Sequence, residues 1–404
     1  MDRRQLLKQA AALAGVALQP AISIGAPLIA PKPRVLVIFE LSGGNDGLNT
    51  IVPYRDDEYY KLRPSIALPK NKILKIDDEW GMNPGLAGMK QIWDRGDLAI
   101  IHGCGYERPS YSHFTSMAYW HTAAPNSGDP YGWVGRTADA LAPHAPENYI
   151  INIDSSQSLA VQSKYHTPIV FDDPSEFRRI IRNEQLAAIP EIKIESSQAN
   201  LSLNFLNNIA RSATASSLKV RKAWEKYKVR KAWEKYSSPV DYGVFSSQLD
   251  KVAACIAAEF PTQIYYVAFR NNAFDTHVHQ VNLHERLLTY AADAVRGFLD
   301  DMERLGMADN VSLMMFSEFG RRAGENANLG TDHGTANTMF FAGKPVKGGH
   351  YGKTPNLLDL NDTDNLKFTT DFRRVYATAI EGWLESQKAD DILKGKFQPL
   401  PIFT

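Results

Sequence analysis

Cysteine is nearly absent: the 404 residues contain two, Cys104 and Cys255. Two thiols so far apart build neither a disulfide framework nor a four-thiolate zinc site, so cysteine usage leaves the compartment open. A surplus of charge is absent too, because 45 Lys plus Arg face 45 Asp plus Glu. That balance lacks the basic footprint of a nucleic-acid binder, and no nucleic-acid partner is expected. Also missing are a Gly-x4-Gly-Lys loop, a Gly-x-Gly-x-x-Gly fingerprint and a Gly-x-Ser-x-Gly elbow. Their absence argues against nucleotide-dependent transfer, dinucleotide redox chemistry and the usual esterase. What remains is a 44% hydrophobic, 22% charged composition with 27 Gly and 22 Pro, which suits a packed globular protein.

The chain opens on Arg3-Arg4, followed by an uncharged, Ala-rich run from Ala10 to Ala30 and then Lys32 and Arg34. Residues 1–33 therefore read as a twin-arginine export signal, and a periplasmic or otherwise exported location is expected. The run approaches the length of a membrane span, but Gly15, Pro20, Gly25 and Pro27 interrupt it and its side chains are small. No stable membrane span is expected after processing.

From Arg34 to Leu41 the chain is almost continuously apolar and ends in Ser42-Gly43-Gly44-Asn45-Asp46-Gly47. Runs of that kind belong to strands buried on both faces of a parallel sheet. Similar runs recur at Leu98 to His102, Tyr149 to Ile153, Pro168 to Phe171, Gln263 to Phe269, Val311 to Phe316 and Thr338 to Ala342. Between them, helical periodicity marks Leu86 to Asp94, Phe114 to Trp120, Glu176 to Asn183, Ser246 to Glu259, Leu283 to Leu305 and Asp371 to Trp383. Strands alternating with helices predict a single α/β domain over 34–404 with a mainly parallel central sheet. One stretch, about 199–236, breaks the rhythm and carries an identical tandem nonapeptide, Lys219 to Tyr227 and Lys228 to Tyr236. Nine residues are 2.5 helical turns, so the copies face nearly opposite ways, as expected of a peripheral helical insertion.

Four groups of chemically active residues follow predicted strands. They are Asp46; Asp275-Thr276-His277; Glu318 with Arg321 and Arg322; and Asp332-His333 between Gly330 and Gly334. Ligands collect at the carboxyl ends of parallel strands, and carboxylates gathered with imidazoles are the donors of divalent cations. Each member also has a structural reading: Asp46 as a turn residue, Glu318 as an ion-pair partner of the arginines, His279 as solvated, His284 as a helix residue. Ser112 precedes a helical run, where a dipole and free amides favour an alkoxide, although it would equally serve as an N-cap.

LSGGNDGLNTIVPY at Leu41 to Tyr54, YSHF at Tyr111 to Phe114, FDTH at Phe274 to His277, SEFGRR at Ser317 to Arg322 and GTDHG at Gly330 to Gly334 together resemble the domain-of-unknown-function 1501 family. The resemblance covers nearly the whole chain after residue 33. It implies an alkaline phosphatase-like three-layer sandwich, with sulfatases as distant relatives. It further implies a site of one or two divalent metal ions, zinc, calcium, magnesium or manganese, held by Asp46, Asp275, His277, Glu318, Asp332 and His333. The commoner Asp-x-x-x-His spacing of that superfamily would select His279, and Phe319 stands where relatives place a His. Ser112 matches the nucleophile, with Arg321 or Arg322 holding non-bridging oxygens. The expected function is metal-dependent hydrolysis of phosphate or sulfate esters on a small-molecule or glycan substrate. The rival is a noncatalytic binding or assembly protein on the same scaffold.

Overall fold

A computed structural model of the chain describes residues 32–143, 148–176, 222 and 224–403. The export segment, apart from Lys32 and Pro33, lies outside them, as do residues 199–221 of the insertion and 177–183 of the helix expected from Glu176 to Asn183.

The strands are β1 (Val35–Leu41), β2 (Ile51–Val52), β3 (Leu74–Lys75), β4 (Gly81–Met82), β5 (Leu98–Gly105), β6 (Ile150–Ile153), β7 (Ile169–Phe171), β8 (Ile264–Phe269), β9 (Val311–Phe316), β10 (Asn337–Ala342), β11 (Gly349–Tyr351) and β12 (Thr370–Asp371). Nine form the central sheet in the order β11-β5-β10-β9-β1-β8-β6-β7, with β12 also on β5. Only β10 pairs antiparallel, with β5 and β9; every other pairing in that sheet is parallel. β2, β4 and β3 make a small separate antiparallel sheet.

Strand side chains alternate between faces, and β1 divides accordingly. Val35, Val37, Phe39 and Leu41 join one apolar core with residues of the helices Ala87–Asp94, Leu249–Ala257 and Gln280–Arg304. Leu36 and Ile38 join the other, with residues of His113–Thr122, Trp133–Leu141, Phe372–Ala377 and Ala389–Leu393. Both faces being covered explains why β1 is apolar but for the buried Glu40, and the result is a three-layer α/β/α sandwich with a mainly parallel sheet.

The described part of the insertion lays one side on the first core and leaves the other exposed. Residues 224–235 are helical. Val229 is buried in the first core, and Tyr236 packs on that core and donates to Asp301. The 2.5-turn offset holds: Trp224 is exposed while Trp233 is half-buried. Among the described residues, no helix is long and apolar enough to cross a membrane.

Candidate metal centre

Four loops meet at one edge of the sheet: those after β1, β5, β8 and β9, the last of which leads into β10. Because β10 runs against its neighbours, its entry lies beside the carboxyl ends of β9 and β5. This antiparallel strand brings Asp332 and His333 to the others.

Asp275 stands at the centre. Its Oδ1 lies 2.9 Å from His277 Nε2, 3.0 Å from His333 Nε2 and 2.7 Å from Arg321 Nη2, and its Oδ2 lies 3.3 Å from His113 Nε2. The two Nε2 atoms of His277 and His333 are 2.9 Å apart. One donor atom each from His113, Asp275 and His333 falls within 4.8 Å of the others. Burial alone would raise the Asp275 carboxyl, but hydrogen bonds from Arg321 and His333 and the Arg321 charge hold it down at about 2.

The other nitrogen of each ring decides what the inner one can do. Nδ1 of His113 lies 2.7 Å from Glu318 Oε1, Nδ1 of His277 lies 3.3 Å from Asp332 Oδ1, and Nδ1 of His333 lies 2.6 Å from the Tyr111 carbonyl. All three partners are acceptors, so each Nδ1 can donate outward while the Nε2 of the same ring faces Asp275. Burial depresses His333 below its ordinary value, whereas the Glu318 hydrogen bond raises His113 despite its partial burial. His113, Asp275 and His333 each offer a donor atom to one point, and together they could hold a metal ion.

The expected ligand set is redistributed accordingly. Asp275, His277 and His333 lie in the cluster. His113, quoted above only within the YSHF motif, is the member that sequence reasoning missed. Glu318 stands behind His113, and its buried oxygens accept from the Gly43 and Gly44 amides at 2.9–3.1 Å and from the Ser317 hydroxyl at 3.0 Å. Both amides are within reach because the chain turns at Gly43 (φ 120°) and Gly44 (φ 74°). Asp332 likewise stands behind His277, and Asn326 donates to it at 3.1 Å.

Asp46 is not brought to the cluster. Its carboxylate caps the helix Gly47–Thr50 through the Leu48 and Asn49 amides and pairs with the fully buried Arg63 at 2.6 Å. Gln280 donates to it at 2.5 Å. Burial favours the neutral acid here, yet the Arg63 charge wins and keeps Asp46 below the usual carboxylate range. Arg321 is not available to a substrate either. Fully buried, it donates from Nε to the Gly44 carbonyl, from Nη1 to that of Thr331, and from Nη2 to those of Gly43 and Phe274 as well as to Asp275. It fixes Asp275 and leaves the exposed Arg322, close enough to Asp332 to lower that carboxyl, as the guanidinium open to solvent.

Ser112 is exposed and forms the N-cap of His113–Thr122, yet its side chain makes no capping hydrogen bond. His279 caps Gln280–Arg304 from an exposed position, and His284 is buried against Asn45 at 2.9 Å. Phe319, where relatives of the expected superfamily carry His, is buried with its ring 4.9 Å from that of His113 and 4.5 Å from that of His333.

Against known families, the model described as "Protein of unknown function (DUF1501)" matches residues 32–394. The chain belongs to the DUF1501 family. No curated protein sequence is significantly similar to this DUF1501 chain. Among solved structures it is similar to Ps i-CgsB (8% identity, TM-score 0.36, 90% of this chain and 75% of that one). It is also similar to an alkaline phosphatase superfamily protein from Vibrio parahaemolyticus (9%, 0.35, 87% and 71%). A third is the lipoteichoic acid synthase LtaP from Listeria monocytogenes (10%, 0.35, 84% and 75%). At such values these neighbours carry no argument about chemistry, which rests on the DUF1501 chain's own residues.

Proposed function

We propose that the protein is an exported, metal-dependent hydrolase of phosphate or sulfate esters, with His113, Asp275, His277 and His333 holding the metal. The observation that supports this reading is the convergence of three Nε2 atoms on one carboxylate. Three imidazoles and one carboxylate suit zinc better than calcium or magnesium, which favour all-oxygen sites. Such an ion, when bound, would polarise the ester and lower the pKa of an adjacent hydroxyl.

The protein's own groups divide the remaining work. Ser112 is the nucleophile in this reading: its hydroxyl is not used as a cap, and both chain neighbours are tied to the cluster, Tyr111 through its carbonyl and His113 through its ring. Its place at the start of a ten-residue helix favours developing negative charge. Glu318 and Asp332 keep the Nδ1 protons of His113 and His277 in place, and Arg321 fixes the Asp275 carboxylate. Arg322 takes the anion-holding role expected of Arg321.

The test is elemental analysis of the purified protein together with hydrolysis of aryl phosphates and aryl sulfates. His333→Ala is expected to lose both metal and turnover. Ser112→Ala is expected to keep the metal and lose several orders of magnitude in rate, because a nucleophile acts only in the chemical step. Undiminished activity in Ser112→Ala would move the nucleophile to Ser110 or to water. A wild type that holds metal without hydrolysing either ester class would favour the noncatalytic binding protein.

A further inference from the structure

Resting on the hydrolase reading, we infer that the ester taken at this centre carries an apolar alkyl or aryl group, received by a rim of Tyr111, Phe114, Val278 and Leu329. Isolated exposed hydrophobic residues are ordinary on protein surfaces and need no explanation. These four lie in segments that carry or contact residues of the centre. Phe114 is 88% exposed and follows His113; Val278 is 53% exposed and follows His277. Tyr111 is 40% exposed, and its carbonyl holds His333. Leu329 is 41% exposed and precedes Gly330, which lies so close to the His277 carbonyl that a Cβ there would sit 2.3 Å from it. Three separate segments of the chain thus each carry exposed apolar side chains next in sequence to residues that would hold the metal or that contact them.

The conformation of Leu329 is an independent observation. Its φ of 58° is the left-handed region, unfavourable for a branched side chain and ordinarily given to Gly or Asn. The strained residue is held by its carbonyl, which accepts from the Gln280 amide at 2.9 Å, yet its side chain is left exposed. Strain of this kind persists at ligand-binding positions, where it is part of the function. Behind the rim, Phe319 packs against the His113 and His333 rings, beside the buried Glu318 and Arg321. Two of the four rim side chains are aliphatic and offer nothing to a hydroxyl, which favours a hydrocarbon group over a sugar face.

Calorimetric titration of the zinc-loaded full chain with methyl-, butyl- and octylphosphonate tests this without turnover. Affinity is expected to rise about two- to fourfold per added methylene over the first carbons, the scale of burying hydrocarbon. The gradient is expected to flatten in a Phe114→Ser/Leu329→Asn double variant that still holds zinc; Asn tolerates the Leu329 backbone. Equal affinity at every chain length in zinc-loaded wild type overturns the apolar-group inference and leaves the hydrolase reading standing. A gradient undiminished in the double variant overturns the assignment to this rim. Zinc-loaded protein that binds none of the three removes the hydrolase reading itself. Binding of the octyl compound only when embedded in phosphatidylcholine vesicles overturns the small-molecule occupant in favour of a membrane surface.

Discussion

Replacing Asp46 with Asn separates a buried structural carboxylate from a metal ligand. In the structure the Arg63 guanidinium is fully buried and spends its donors on the Ala323 and Arg322 carbonyls, Asn49 and Asp46, of which only Asp46 supplies a countercharge. Asp46→Asn keeps the shape and leaves that guanidinium uncompensated, which costs about 3–5 kcal/mol in a buried pair. Spread over the 371 residues of Arg34–Thr404, an unfolding entropy of about 2.1 cal/mol/K per residue totals about 0.8 kcal/mol/K. The melting temperature should therefore fall by about 4–6 °C. Metal content should not change, since no ligand has been touched. Adding Arg63→Met removes the orphaned charge and should recover part of the loss. Thermal unfolding with metal analysis of the same samples checks both halves; an Asp46→Asn protein that melts normally but has lost its metal would refute the assignment.

Glu318→Gln keeps an acceptor beside His113 but removes the charge, and metal affinity measured by competition with a chelator should fall about 10- to 100-fold without vanishing. Burial depresses His284 from its ordinary 6.5 to about 4, so the unfolded chain takes up the proton first; its contribution is complete above pH 6.5 and is lost as pH falls through 4, about 3 kcal/mol in all. His102, pushed to about 3 by burial and by His350, acts in the same direction, and urea unfolding at pH 7 and pH 4.5 should show the drop. Val229→Ala should cost about 2 kcal/mol from a well-packed core, whereas deleting Lys228 to Tyr236 should cost less, because an identical nonapeptide slides into its place; the two unfolding free energies, measured side by side, check this.

What the sequence could disclose follows from which signals are local. The run from Arg34 to Leu41 announces a doubly covered strand because every residue of Val35–Leu41 is buried, and the same holds for Val311–Phe316. The loops after those strands could be expected to converge because a parallel sheet collects them at one edge, and Asp275, His277 and His333 do lie together there. Ranking carboxylates within the edge was a different problem. Asp46 follows its strand as a ligand would, but its fate is fixed by Arg63, 17 residues away, which nothing local marks as buried. Glu318 and Asp332 are each separated from Asp275 by one imidazole, a distinction set by side-chain direction and not by spacing. His113 escaped notice because an isolated histidine beside a serine at a helix start carries no pattern; its role depends on Glu318, 205 residues later. The apolar residues at the same loops look like ordinary loop hydrophobics until the histidines beside them are seen to share one point, and only then does their exposure bear on the substrate.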